Sequence, residues 1–136
     1  VIAVTATPFA LQQGHPEDSQ VGALTFVGGL DLRSPQARFG GFSDLAVLAD
    51  GGLLAISDSG EWLKAQIVTD PVSGAPVALA EPRMALMRDE DGEPFATKQA
   101  GDSEDLAVLA DGRVAVSFEQ SQSIRLYDVL GAGPLV

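Results

Sequence analysis

The chain contains no cysteine, which excludes disulfide staples and thiolate metal sites and leaves the redox compartment open. Basic residues are scarce: 8 Lys and Arg stand against 19 Asp and Glu, for a formal net charge of −11. A surface of that sign is repelled by DNA, RNA and anionic lipid, so neither nucleic acid nor membrane is an expected partner. No apolar run approaches the ~18 residues needed to cross a bilayer. No stretch is low in complexity, and no long amphipathic helix is evident. Val1 stands where a Met start would be, which reads as a processed or excised piece, with any signal peptide lying upstream.

What is present is a repeat. The string DLAVLADG occurs at Asp44–Gly51 and again at Asp105–Gly112, 61 positions apart. Each copy is followed by a second apolar run ending in serine, LLAIS at Leu53–Ser57 and VAVS at Val114–Ser117. A carboxylate follows each serine, Asp58 in the first copy and Glu119 in the second. Reuse of one unit at this fidelity points to stacked or circling supersecondary elements.

The unit reads as β. Asp-Gly closing an apolar run is a strong hairpin signal, and the following run is rich in strand formers. Neither run alternates cleanly, which predicts inner strands buried on both faces, with Leu45, Val47, Leu106, Val108, Ile56 and Val116 in matching core positions. Trp62–Val68 and Ser123–Val129 interleave apolar with polar residues and read as half-exposed outer strands. Two inner strands and an outer one follow the order of a propeller blade. The expectation is therefore an all-β, propeller-like chain of about two antiparallel blades, with repeat units at about 40–68 and 101–129. A propeller needs roughly four to eight blades, so residues 1–136 read as part of one domain. Its partners are then the remaining blades of a longer protein, or further copies of the chain closing the ring by self-association.

Elsewhere, VIAVTA near the N-terminus and Val21–Arg33 have strand character, with Gly28-Gly29 marking a bend. Gln12–Gln20, Thr69–Pro76 and Met84–Pro94 read as loops or turns, and Gly131–Pro134 as a linker.

The residues that carry chemistry are carboxylates. Glu104 opens an inner strand, the place where a propeller presents side chains to its channel. With Asp102, Asp105 and Glu119 it offers hard oxygen ligands for Ca²⁺ or Mg²⁺. Equivalent positions of adjacent blades converge on the axis, which adds Asp44 and Asp58 to the candidate metal set. The alternative is that these carboxylates cap strand ends, with Asp58 forming an Asx-turn into Gly60. Asp50 and Asp111 precede glycine in tight turns and carry no expected chemistry. Ser43 follows Gly41-Phe42, but Leu45 replaces the second glycine of a nucleophile elbow, and the sole histidine, His15, precedes it. Asp89-Glu90-Asp91-Gly92 lacks the spacing of a calcium loop and reads as a hairpin turn.

RFGGFSDLAVLADGGLLAISDSG (Arg38–Gly60), its lead-in Gly28-Gly29-Leu30, and DSEDLAVLADGRVAVSFE (Asp102–Glu119) resemble the phytase-like domain family, labelled esterase-like activity of phytase. The resemblance covers most of Gly22–Asp128. It implies a propeller of about six blades, in an exported bacterial protein, periplasmic or extracellular. It also implies that the complete protein hydrolyses a small phosphoester or ester with help from a divalent cation, this chain by itself being expected to be inactive; the alternative is a non-catalytic propeller that binds a ligand or protein. Asp44 and Asp105 stand where the family commonly has a small residue, and Phe42 where leucine is usual.

Overall fold

The structure, a computed structural model, describes residues 1–130. The Gly131–Pro134 linker expected from the sequence lies outside the described residues. Strands account for all the regular structure described apart from one 3-10 turn at Gln99–Gly101. The N-terminal strands are β1 (Thr5–Phe9), β2 (Gln20–Val21), β3 (Leu24–Thr25) and β4 (Gly29–Arg33). β1 pairs with β4, and β2 with β3, all antiparallel. The first repeat builds a four-stranded meander from β5 (Phe42–Val47), β6 (Gly52–Ser57), β7 (Glu61–Thr69) and β8 (Pro76–Leu86). The second builds a three-stranded sheet from β9 (Ser103–Val108), β10 (Val114–Phe118) and β11 (Ser123–Tyr127). The chain is thus all-β, a set of small antiparallel sheets consistent with an open part of a propeller.

The hairpin turns follow from their sequence. Gly51 and Gly112 adopt φ of +81° and +85°, which glycine tolerates without a Cβ penalty. The Asp50 and Asp111 carboxylates accept the amides of Gly52 and Arg113, closing the two turns in the same way.

The two repeat sheets pack face to face. Leu54, Ile56 and Trp62 of the first sheet meet Leu106, Val114, Val116 and Phe118 of the second, with Met87 and Val129 completing the core. Trp62 stands edge-on to Tyr127 at 5.2 Å, and the Tyr127 hydroxyl donates to the Arg88 carbonyl at 3.1 Å. β6 is buried along its whole length, as its unbroken apolar run predicts. On its other face Leu53, Ala55, Leu63 and Ala65 are also buried. β1 and β4 run against β8, and the Ile2 amide donates to the Pro82 carbonyl.

Three expected core residues are not in the core. Leu45, Val47 and Val108 are 56%, 61% and 41% exposed, whereas Leu106, Ile56 and Val116 are buried as expected, although Ile56 and Val116 do not match: the register sets Ile56 level with Ser117, and Val116 level with Ala55. The physical reason is position. β5 and β9 are edge strands, each paired on one side only. β5 therefore alternates, with Leu45 and Val47 on the outward face. The outer strands differ too. β7 is a central strand buried over its first half, and the edge is β8, whose two ends the sequence reads as turns and whose middle it leaves unassigned. In β11 the alternation is half-exposed as expected, but its sense is inverted. Ile124 and Leu126 face outward, while Arg125 lies over Phe95 and Phe118 at 5.1 and 5.4 Å.

Candidate functional site

Both repeats carry a β-bulge at the same place. In the first, Phe42 pairs with Ser57 and Asp44 with Ile56, which leaves Ser43 without a partner. In the second, Ser103 pairs with Phe118 and Asp105 with Ser117, which leaves Glu104 without one. A bulge bends its strand and re-aims the extra side chain. Here it turns Glu104 out of the ladder to an exposed position.

Glu104 does not stand alone there. Asp102 ends the 3-10 turn just before β9, and Glu119 follows β10 directly. The Glu119 amide donates to the Asp102 carbonyl at 3.1 Å and ties the two segments together. Carboxylate oxygens of Asp102, Glu104 and Glu119 lie within 4.8 Å of one another. Lys98 flanks the group. Its Nζ donates to Asp58 Oδ2 at 2.9 Å and is raised above the usual lysine range, first by that bond and, more weakly, by the charges of Asp102 and Glu104. The same bond holds the Asp58 carboxyl below the usual carboxylate range. Asp58 also sits in the expected turn, where the Gly60 amide donates to the Ser57 carbonyl with Gly60 at φ +72°.

The matched pair Asp44 and Asp105 meets separately, where β5 runs beside β9. The Leu106 amide donates to Asp44 Oδ2 at 2.9 Å and keeps Asp44 low. The neighbouring Asp44 carboxylate pushes Asp105 above the usual carboxylate range. Of the five carboxylates expected from the sequence, the structure groups Glu104 with Glu119 and Asp44 with Asp105. Asp58 is joined to the first group through Lys98.

The residues set aside behave accordingly. Ser43 is an exposed bulge residue, and His15 lies in an exposed loop against Glu17 at 3.4 Å. Asp89 closes its turn by accepting the amides of Asp91 and Glu93.

Two residues outside the sequence reading complete the picture. Glu61 opens β7 with its side chain only 2% exposed, and Arg38 Nε forms its ion pair. Burial pushes the Glu61 carboxyl up, and Arg38 opposes that shift. Arg38, Gly40, Gly41, Asp58, Ser59 and Glu61 line a cleft of about 380 Å³. Glu61 flanks an apolar run and looks solvated in sequence; only the packing of β6 and β8 on either side of it creates its burial.

A family model described as "Phytase-like: Esterase-like activity of phytase" matches residues 37–133. No curated protein and no solved structure matches the chain.

Proposed function

Because the chain belongs to the phytase-like family, esterase-like activity of phytase, we propose that it is a propeller-type hydrolase module that cleaves a phosphoester or ester with the help of Ca²⁺ or Mg²⁺. The observation that carries this reading is the meeting of Asp102, Glu104 and Glu119 at the bulge. The donor set fits the ion: three carboxylates are hard oxygen ligands of the kind these cations take. Like charges this close repel one another, and a cation relieves that repulsion. Bound there, a divalent cation supplies Lewis-acid polarisation of a phosphoryl or acyl oxygen.

The chain's own residues do the holding. The Glu119–Asp102 backbone bond fixes two of the carboxylates, and the bulge aims the third. Asp58, paired with Lys98, and the neighbouring Asp44 and Asp105 belong to the proposal as flanking acid groups. The same reading has the protein exported from a bacterial cell. Among the described residues no helix is long and apolar enough to cross a membrane.

The test is calcium-dependent thermal stability of the chain together with hydrolysis of a generic phosphomonoester and an aryl ester by the full-length protein. Calcium is expected to raise the melting temperature of the chain but not of Glu104→Gln, and hydrolysis is expected to fall with the same substitution. Hydrolysis unaffected by Glu104→Gln overturns the catalytic reading. A second reading, a non-catalytic propeller that binds through its surfaces, is favoured by the open apolar face carrying Ile124 and Leu126. On that face further blades, or a second copy, would pack. Calcium stabilisation without any hydrolysis selects it.

A further inference from the structure

The N-terminal strands carry charge of one sign. Residues 1–32 contain no Lys or Arg, and their acidic residues are Glu17, Asp18 and Asp31. Arg33 engages Asp31 at 2.8 Å. Among the described residues Glu17 meets only His15, at 3.4 Å, and Asp18 forms no ion pair. The loop that holds these two carboxylates is tied down. The Phe26 amide donates to the Ser19 carbonyl at 2.7 Å, and the Asp18 amide to the His15 carbonyl at 3.1 Å. Between this loop, β1, the lead into β4 and the start of β8 lies a cleft of about 360 Å³, lined by Phe9, Leu11, Phe26 and Val27 and bordered by Glu17 and Asp18. The Phe9 and Phe26 rings stand 5.9 Å apart, tilted by 36°. Gly29 makes room for the first of them. It pairs with Phe9 across the β1–β4 ladder, and a Cβ there would collide with the Phe9 ring. Phe9, Leu11 and Val27 stay exposed. Apolar surface left in water with a polar rim marks a binding surface.

We propose that this cleft binds an organic cation with an apolar body, of the quaternary ammonium class. The charged head meets the aromatic rings and the Glu17 and Asp18 carboxylates, and the apolar body lies against Leu11 and Val27. Aromatic faces attract such cations. Anions are repelled by the two carboxylates. A hard metal ion is poorly served, because the apolar floor offers none of the six to eight oxygens that calcium takes. The volume lies within the range of small-ligand sites, about 300–1,000 Å³. The cleft shares no residue with the Asp102, Glu104 and Glu119 trio, and all of its lining but Ala75, Pro76 and Val77 precedes the segment that matches the family model.

The test uses the whole chain in EDTA, titrated with benzyltrimethylammonium, benzyl alcohol and benzenesulfonate while backbone amide shifts are followed by NMR. Benzyltrimethylammonium is expected to shift the amides of Ser19, Gly28, Gly29 and Val77 saturably, with benzyl alcohol weaker by about fivefold or more and benzenesulfonate weaker still. Glu17→Gln with Asp18→Asn changes two exposed side chains without altering their shape, so this variant is expected to fold. It should bind the cation about fivefold more weakly and benzyl alcohol as before. Phe9→Leu keeps the floor apolar and is expected to lower the preference for the cation a few-fold. Wild-type chain that shows no saturable shift at these amides overturns the proposal. So does benzyl alcohol binding as tightly as the cation, or a preference for the cation that neither variant moves. Shifts confined to Asp102–Glu119 also overturn it, because the cation would then be drawn to the trio by charge alone.

Discussion

Glu61 couples stability to pH in a direction that can be stated. Its folded carboxyl is raised by burial, so across the interval from the ordinary glutamate value, about 4.3, up to the raised value the folded state holds more proton than the unfolded one. Stability then falls as pH rises through that interval. Urea denaturation at a series of pH values should show wild type losing stability relative to Glu61→Gln over this window and running parallel above it. A difference that grows in favour of wild type as pH rises would mean that Arg38 outweighs burial. Residues whose roles are local were legible in sequence. Asp50 and Asp111 act through the next two residues, so Asp-Gly revealed their turns. Glu104 was legible because it opens a repeat strand, and Glu119 because the repeat set it beside Asp58. Glu61 and Arg38 were not, because the burial of one and the approach of the other are made by strands far apart in sequence.

Among the elements, β8 shows how a strand hides. Pro82 interrupts its apolar run, and a proline disfavours an interior strand. In the fold β8 is an edge, where a missing amide is tolerated, and Glu81 beside Pro82 takes a positive φ of +50°. β5 and β9 hid differently: their apolar runs suggested burial throughout, yet β5 turns Leu45 and Val47 to water, and Val108 stands exposed at the end of β9 on the same face as the buried Leu106. The register explains what remains open. Residues 61 positions apart take equivalent places, so Leu54 and Ile56 of the first sheet correspond to Ala115 and Ser117 of the second. The former face the second sheet. The latter, with Ala107, Ile124 and Leu126, lie on a face that no described sheet covers. Burying a side chain such as Leu126 is worth about 1.5–3 kcal/mol, so this face is expected to drive self-association. Sedimentation should show concentration-dependent oligomers for wild type and a shift toward monomer for Ile124→Lys with Leu126→Lys, with unchanged thermal stability. A wild-type monomer at all concentrations, or unfolding of the double variant, would contradict this.

At the scale of the whole molecule, the second repeat packs against the first. It brings the inner strands side by side, sets Asp44 against Asp105, and repeats the bulge that turns Glu104 toward Asp102 and Glu119. The all-β class and the two-unit organisation were legible from the repeat alone. The division of the acidic residues into a trio and a pair was not, because one-residue bulges leave no mark in an otherwise regular apolar run. The account's central claim is that the trio, not the pair, holds the cation. The direct measurement is anomalous diffraction from crystals of the chain grown with Mn²⁺ as a substitute, followed by refinement with Ca²⁺. The expected result is one ion bound by oxygens of Asp102, Glu104 and Glu119, at about 2.3–2.6 Å for Ca²⁺. An ion bound at Asp44 and Asp105 instead, or no ion at saturating Ca²⁺, would contradict it.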